Sequence, residues 1–421
     1  MDRLFNRDAA VHDPGLVFTP AKAVQPGMFA SRSYGDLQEK FEERLAEPGR
    51  QIVLYGDTGV GKTSLVRHTC SERKIPMVYV ECGGPFDVMI REALAKAGLT
   101  EETYEGIDKK VGYAGVRGTL GFLFAGGRHD VEDTYTSKSY PVSLQTAVRE
   151  ALSVCGIRVL FLDNLENLRA QPHKPETATA IVQLMKSCSD REGQGVKVVV
   201  AGIPEESEAL LAMDDATGRR TSQIEVPRMP DEELDEILRK GEALLDIEFD
   251  ADCRASIIRY SDGFPYYTHL HALHASRRAL KDGDRRVGIN HFSAALTTIL
   301  EDADLTLKRA YNNAAETTGK VKVRKSIMQA AARLEKQEVT FREIKAEFQK
   351  IHPQYKTLNE INFINPGLSA LVNEKAVLQS RGLPKSADRT YRFANPLMRA
   401  YVRLRVEHER YETPELQPEG S

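Results

Sequence analysis

The run Gln51-Ile-Val-Leu-Tyr-Gly-Asp-Thr-Gly-Val-Gly-Lys-Thr-Ser64 constrains the fold of this chain more than any other stretch. Gly56, Gly61, Lys62 and Thr63 satisfy G-x-x-x-x-G-K-[ST] at every fixed position, and an apolar run of strand length precedes them. Such a sequence folds as a strand, a glycine loop and the first turn of a helix. In the loop Gly56, Asp57, Thr58, Gly59, Val60 and Gly61, the glycines let successive backbone N–H groups turn inward as an anion-binding nest. The helix that opens with Lys62, Thr63 and Ser64 adds its positive N-terminal dipole. Lys62 then reaches the β- and γ-phosphates of a nucleoside triphosphate, and the Thr63 hydroxyl is a ligand for Mg²⁺. Binding of ATP or GTP is the expectation.

Arg158-Val-Leu-Phe-Leu-Asp163 is the second motif of that site. Four apolar residues bury a strand, and Asp163 emerges at its C-terminal end to hold Mg²⁺ through water. Between and after the two motifs, strands alternate with helices. Met77–Glu81 and Lys197–Gly202 read as strands; Tyr34–Leu45, Phe86–Ala97, Val142–Ser153 and Thr177–Cys188 read as helices. This alternation implies an α/β fold with a three-layer, parallel-sheet core. Residues 1–26 read as a lead-in without periodicity, and residues 27–229 as the core, closed by a short strand Ile224–Pro227. A glycine-rich insertion at about 100–139 is either a surface loop or a projecting contact with Phe122 and Phe124 at its tip. Residues 230–303 read as a helical lid.

The remainder has another rhythm. Helices Ser326–Leu334, Arg342–Ile351 and Pro366–Lys375 are followed by strands Ala376–Gly382 and Thr390–Ala394 and a last helix, Pro396–Val406. Three helices and a β-hairpin describe a winged helix over 304–412, with a disordered tail at 413–421. From Leu305 to Glu412 there are 21 Lys and Arg against 11 Asp and Glu, a net of +10, while the rest of the chain carries −13. A basic module on an acidic body is the electrostatic footprint of a nucleic-acid contact, and basic faces also dock acidic proteins. No apolar run reaches the length of a membrane span, and the N-terminus lacks the apolar core of a signal peptide. Five scattered cysteines without a CxxC suit reduced thiols in a cytoplasmic setting.

With these pieces in order, the chain resembles the AAA+-type P-loop ATPases of the origin-initiator and transposition-regulator kind, with features of the STAND switch NTPases, over about residues 27–406. The resemblance implies ATP with Mg²⁺ as ligands and ATP hydrolysis as the reaction. Phe29 to Arg32 looks like the family's box at the adenine end, with Ser31 in place of a glycine. Gly56 to Ser64 corresponds to Walker A, Val159 to Asp163 to Walker B, and Val198 to Ala201 to the sensor-1 strand. Arg219 and Arg220 stand where the family places an arginine finger, which acts on a neighbour's nucleotide and implies assembly of identical subunits. Asp262-Gly-Phe-Pro265 looks like the GxP signature of STAND lids, so that Gly263 and Pro265 touch the base.

Three departures from the family pattern imply a nucleotide-governed switch with slow turnover. Asn164 follows Asp163 where a water-activating glutamate is usual; Glu166, two positions on, is the nearest substitute in sequence. The sensor-1 position offers Gly202-Ile-Pro204, and no arginine adjoins Gly263. Of His269, His271 and His274, only His271 and His274 share a helix face and no third ligand is near, so the three read as packing or surface residues rather than a metal set. For partners, the first expectation is duplex DNA, met by Arg381, Lys385, Arg389 and Arg392 in and beside the wing and by Lys320, Lys322, Arg324 and Lys325 upstream. The alternative is a signalling or defence switch whose winged helix docks a separate effector protein.

Overall fold

The computed structural model describes residues 13–99, 143–169, 171–189, 195–316, 322–355, 357, 363–382 and 389–412. The expected insertion at 100–139, the tail, Lys320 and Lys385 lie outside the described residues. The chain divides into two compact units: residues 23–228, and residues up to Lys22 together with those from Met229 onward.

The first unit is a five-stranded parallel sheet in the order β2-β3-β4-β1-β5, made of β1 (Gln51–Tyr55), β2 (Met77–Glu81), β3 (Val159–Asp163), β4 (Lys197–Gly202) and β5 (Thr221–Glu225). β3 and β4 are buried at every residue, as continuous apolar strands covered on both faces must be. On one face Val53, Val80, Leu160, Leu162, Val198 and Val200 share a core with residues of helices Phe86–Lys96, Leu144–Val154 and Lys174–Ser189. The alternate residues Ile52, Leu54, Phe161 and Val199 are fully buried on the other face, where helix Leu37–Ala46 meets β1 and helix Lys62–Glu72. All five strands point the same way, so their C-terminal ends share one edge. Ligands of such sheets bind at that edge. The closing strand begins three residues before the expected Ile224, and β1 pairs along its whole length, from Gln51↔Thr221 to Tyr55↔Glu225.

The second unit is largely helical. Asp231–Leu245, Ala251–Ser261, Pro265–Asp282 and Ile289–Asp302 pack around buried Leu234, Ile257, Phe264 and Phe292. Residues 13–22 belong here rather than standing as a lead-in. A helical turn, Pro14–Val17, delivers Phe18 into the interior at 0% exposure, and a Cβ on Gly241 would lie 2.1 Å from its ring. Helix Leu305–Ala315 follows, capped by the Asp304 carboxylate, which accepts from Leu307 N–H. Helices Val323–Arg333, Phe341–Ile351 and Ile364–Asn373 come next. A three-stranded antiparallel sheet, β6 (Val339–Thr340), β8 (Thr390–Phe393) and β7 (Leu378–Arg381), lies beside them in that order. The last helix, Met398–Glu412, runs six residues past the expected Val406.

Candidate functional site

The loop after β1 is built on glycine where nothing else fits. Gly59 and Gly61 have φ of 84° and 96°, the left-handed region that side chains disfavour. A Cβ on Gly56 would fall 2.3 Å from the Val226 carbonyl oxygen. The loop therefore turns Lys62 back over itself. Its ammonium donates to the carbonyls of Gly56 (2.9 Å) and Asp57 (3.0 Å). Lys62 is 6% exposed. Burial pulls its pKa below the ordinary lysine value, and Glu166, then Asp163 and Asp57, act in the opposite sense.

Thr63 and Asp163 meet as the two motifs require. The Thr63 hydroxyl donates to Asp163 Oδ2 at 2.5 Å. Asp163 is 1% exposed; burial raises its pKa, against the hydrogen bonds from Thr63 and the Asn164 N–H and the charge of Lys62. A buried carboxylate and a hydroxyl, both hard oxygen donors beside a lysine, form a donor set suited to Mg²⁺.

The rest of the loop is held by charge from behind. Arg32, 1% exposed, donates to the Val60 carbonyl at 2.8 Å and the Pro227 carbonyl at 2.6 Å. Its guanidinium thus tethers the loop to the segment after β5. Arg228, which the sequence did not single out, donates to Asp57 Oδ2 at 3.1 Å and 3.2 Å. Ser64 Oγ accepts from Val24 N–H at 3.3 Å. Phe29 stacks on His68 with ring centroids 3.8 Å apart.

Asn164 adopts φ 57° and ψ 51°. Its N–H donates to Asp163 Oδ1 at 2.9 Å, and its carboxamide crosses to the neighbouring strand, where Nδ2 donates to Glu81 Oε1 at 2.6 Å. Glu81 is exposed at the end of β2 and is the register partner of Asp163. A signal for it was present, since Met77–Glu81 ends in an acid as Val159–Asp163 does. Glu166 sits in the turn Leu165–Leu168 with Oε2 buried and, among the described residues, without a hydrogen-bond partner.

Arg219 and Arg220 are exposed at the start of β5, and the Arg220 carbonyl accepts from Gln51 N–H at 2.9 Å. They lie at the opposite edge of the sheet from the loop. The five residues of β1 separate the two edges by about 16 Å, beyond the reach of either side chain to its own Lys62. In the other unit Gly263 has φ 80°, its carbonyl accepts from Met229 N–H, and Pro265 opens a helix. Asp262, the first residue of that motif, accepts from Arg399 (2.6 and 2.8 Å) and Arg403 (3.1 Å). The histidines pack inside: His269 and His271 are 2% and 0% exposed. In the hairpin Arg381 pairs with Glu338 at 3.0 Å, Arg389 donates to Ser380 Oγ at 2.7 Å, and Arg392 donates to Gln379 Oε1 at 3.1 Å.

Residues 46–211 match the family described as "AAA domain". The matched segment is similar to AAA-type P-loop ATPase domains and carries β1 to β4, the phosphate loop and the Asp163 strand described above. No curated protein sequence matches the chain. Among solved structures, a Walker-type ATPase of Pyrococcus abyssi is similar with 16% identity and a TM-score of 0.51, over 89% of this chain and 95% of that one. Cdc6p of Pyrobaculum aerophilum is similar with 12% identity and a TM-score of 0.44, over 93% and 98%. The ORC1 protein of Aeropyrum pernix, solved in complex with DNA, is similar with 14% identity and a TM-score of 0.40, over 96% of each chain. Among the described residues no helix is long and apolar enough to cross a membrane.

Proposed function

We propose that this chain is a cytoplasmic, ATP-governed switch that hydrolyses ATP slowly, assembles with itself when nucleotide is bound, and engages duplex DNA through a winged helix at 304–412. The observation that carries the ATP part is the convergence of Lys62, Thr63 and Asp163 on one loop from two motifs a hundred residues apart. Lys62 neutralises the β- and γ-phosphates, and backbone N–H groups of Thr58 to Gly61 cradle them. Thr63 and Asp163 hold Mg²⁺, which when bound neutralises charge on the phosphate oxygens. Gly263 and Pro265 serve the base as a STAND-type lid does. Without a carboxylate directly after Asp163, turnover stays below about 0.1 s⁻¹, against about 10 s⁻¹ for a median enzyme.

Self-assembly is supported by the place of Arg219 and Arg220. They are too far along the sheet to serve their own loop, and exposed arginines of this kind act on the nucleotide of a neighbour. DNA binding is supported by the net charge of +10 over 305–412. One observation favours the second reading, an effector-docking module: helix Ile364–Asn373, which a winged helix presents to a groove, contains no charged residue. Light scattering with a non-hydrolysable ATP analogue tests assembly, which should be lost in the Arg219→Ala, Arg220→Ala double variant while ATP binding persists. Fluorescence anisotropy on random duplex DNA across a salt series tests the partner. Affinity for DNA should fall steeply with salt, and absence of binding at low salt rejects DNA in favour of a protein.

A further inference from the structure

Besides Asp57, which Arg228 holds, and Glu225 at the end of β5, the sheet edge around the phosphate loop carries Asp163, Glu166 and Glu81, and the structure gives each of these three a different surrounding. Asp163 is buried and bonded to Thr63, the side on which a metal ion belongs. Glu166 is the carboxylate whose charge acts most on Lys62, and its Oε2 is buried. Its charge acts on the ammonium from a distance, since Lys62 donates to the carbonyls of Gly56 and Asp57, and that oxygen is turned into the protein. Of the three, Glu81 alone faces solvent.

Glu81 owes its position to register. β2 and β3 run parallel with Glu81 opposite Asp163, so the two side chains leave the same face of adjacent strands, whose backbones are about 4.8 Å apart. The chain turns sharply at Asn164, a residue type that tolerates its left-handed backbone. That turn is fixed by the Asn164 N–H on Asp163 Oδ1, and it aims the carboxamide at β2. The Nδ2 donor then holds Glu81 Oε1 at 2.6 Å. An amide orients a carboxylate without neutralising it, which leaves the second oxygen to accept a proton. The buried Cys82 thiol registers the convergence: its pKa is driven up first by burial, then by Asp163, Glu166 and Glu81 together.

We infer that Glu81 is the general base of ATP hydrolysis in this chain and that Asn164 positions it, a reading that rests on the assignment of the site as an ATPase. The attacking water forms a bond from its oxygen to the γ-phosphorus. The bond from that phosphorus to the β–γ bridging oxygen breaks, and its electron pair leaves with ADP. The water proton passes to Glu81 and from there to solvent. The pair Asn164 and Glu81 thus divides between two strands a task that an acid directly after Asp163 would perform alone.

The test is Glu81→Gln in the full chain, where glutamine keeps an acceptor for Asn164 but cannot take the proton. ATP binding, phosphate release and the identity of the nucleotide recovered from the protein are measured separately. Binding should stay within about twofold of wild type, turnover should fall by about 10²-fold or more, and the recovered nucleotide should be ATP where wild type yields ADP. Asn164→Ala should leave binding and KM within about twofold of wild type and lower kcat by about tenfold, because the carboxylate loses the donor that aims it only where the transition state needs it. Wild-type turnover in Glu81→Gln overturns the inference. So does a loss of turnover with binding intact in Glu166→Gln while Glu81→Gln remains active. Failure of wild type to bind ATP would instead overturn the ATPase assignment, and this inference with it.

Discussion

The phosphate loop and the C-terminal hairpin treat charge in opposite ways. Around the loop, Lys62, Asp163 and Arg32 are nearly inaccessible, and each is committed to named atoms of the protein. In the hairpin, Arg381 is 61% exposed and Arg389 and Arg392 are half-buried, each with light, local partners. Burying an ion is costly enough that a sequence keeps one only where something will meet it. The loop's charges are therefore accounted for by the protein atoms that meet them. A surface arginine costs almost nothing to keep, so the hairpin's charges are compatible with phosphate, with an acidic protein or with solvent.

Lys62→Ala gives the largest effect that this contrast predicts. Removing the ammonium leaves the β/γ-phosphate charge without its main partner, and ATP binding or turnover should be abolished. Isothermal titration with ATP and a phosphate-release assay read it directly. Wild-type affinity and turnover in this variant would erase the distinction between buried and decorative charge.

The second prediction moves the same principle into the other compact unit. Asp262 is 5% exposed and bonded to Arg399 (9%) and Arg403 (17%). The two arginines also close the end of helix Val323–Arg333, donating to the carbonyls of Ala332, Leu334, Glu335 and Lys336. Asp262→Ala strands two guanidinium groups, and loss of a partner from such a buried pair costs about 3–5 kcal/mol. Denaturant unfolding should show that loss for the transition of the unit that contains Asp262. A change under ~1 kcal/mol would mean that the network is only surface electrostatics.

How far each region was legible follows from what fixes its residues. Lys62, Thr63 and Asp163 were readable because a local motif dictates the backbone that brings them together. Glu81 was passed over because an acid at the end of a strand gains meaning only from its neighbour, and pairing of β2 with β3 joins residues about eighty apart in sequence. Phe18 was missed for a related reason: one aromatic residue has no period, and its slot over Gly241 lies far along the chain. Asp262-Gly-Phe-Pro265 was noticed as a nucleotide motif, but the carboxylate's partners, Arg399 and Arg403, come from the last helix and left no local trace.

A smaller effect concerns the histidines of helix Pro265–Asp282. Burial lowers the pKa of His269 to about 4 and of His271 to about 3, below an unfolded value of 6.5. Neither ring nitrogen of His269 has a hydrogen-bond partner among the described residues. The folded state holds both rings neutral, so stability from this source is complete above pH 6.5. As pH falls from 6.5 toward 4 the unfolded chain binds protons that the folded chain refuses, and stability declines. At pH 5 the loss is about 2 kcal/mol for each histidine. Denaturant midpoints at pH 7 and pH 5 measure it, and His269→Leu should remove its share of the decline. A flat response between these pH values would mean that the rings are accessible to water.

The smallest predicted effect decides what the hairpin is for. Arg381, Arg389 and Arg392 are its described cations, and each already has a protein partner that a phosphate must replace. That exchange is cheap for Arg381, because its pair with Glu338 is exposed on both sides and such pairs contribute under about 1 kcal/mol. If all three meet phosphates of duplex DNA, replacing them with alanine should flatten the slope of log affinity against log salt by about 2.7, at ~0.9 for each contact. Nucleotide affinity should be unchanged, since the phosphate loop lies in the other compact unit. The measurement is fluorescence anisotropy on random duplex DNA with an ATP analogue present, so that any assembly that favours binding is already complete. An unchanged slope with reduced affinity would mean that the arginines shape the hairpin through Glu338, Ser380 and Gln379 and touch no phosphate. The uncharged helix Ile364–Asn373 would then be the better candidate for contact, and a protein surface the better match for it.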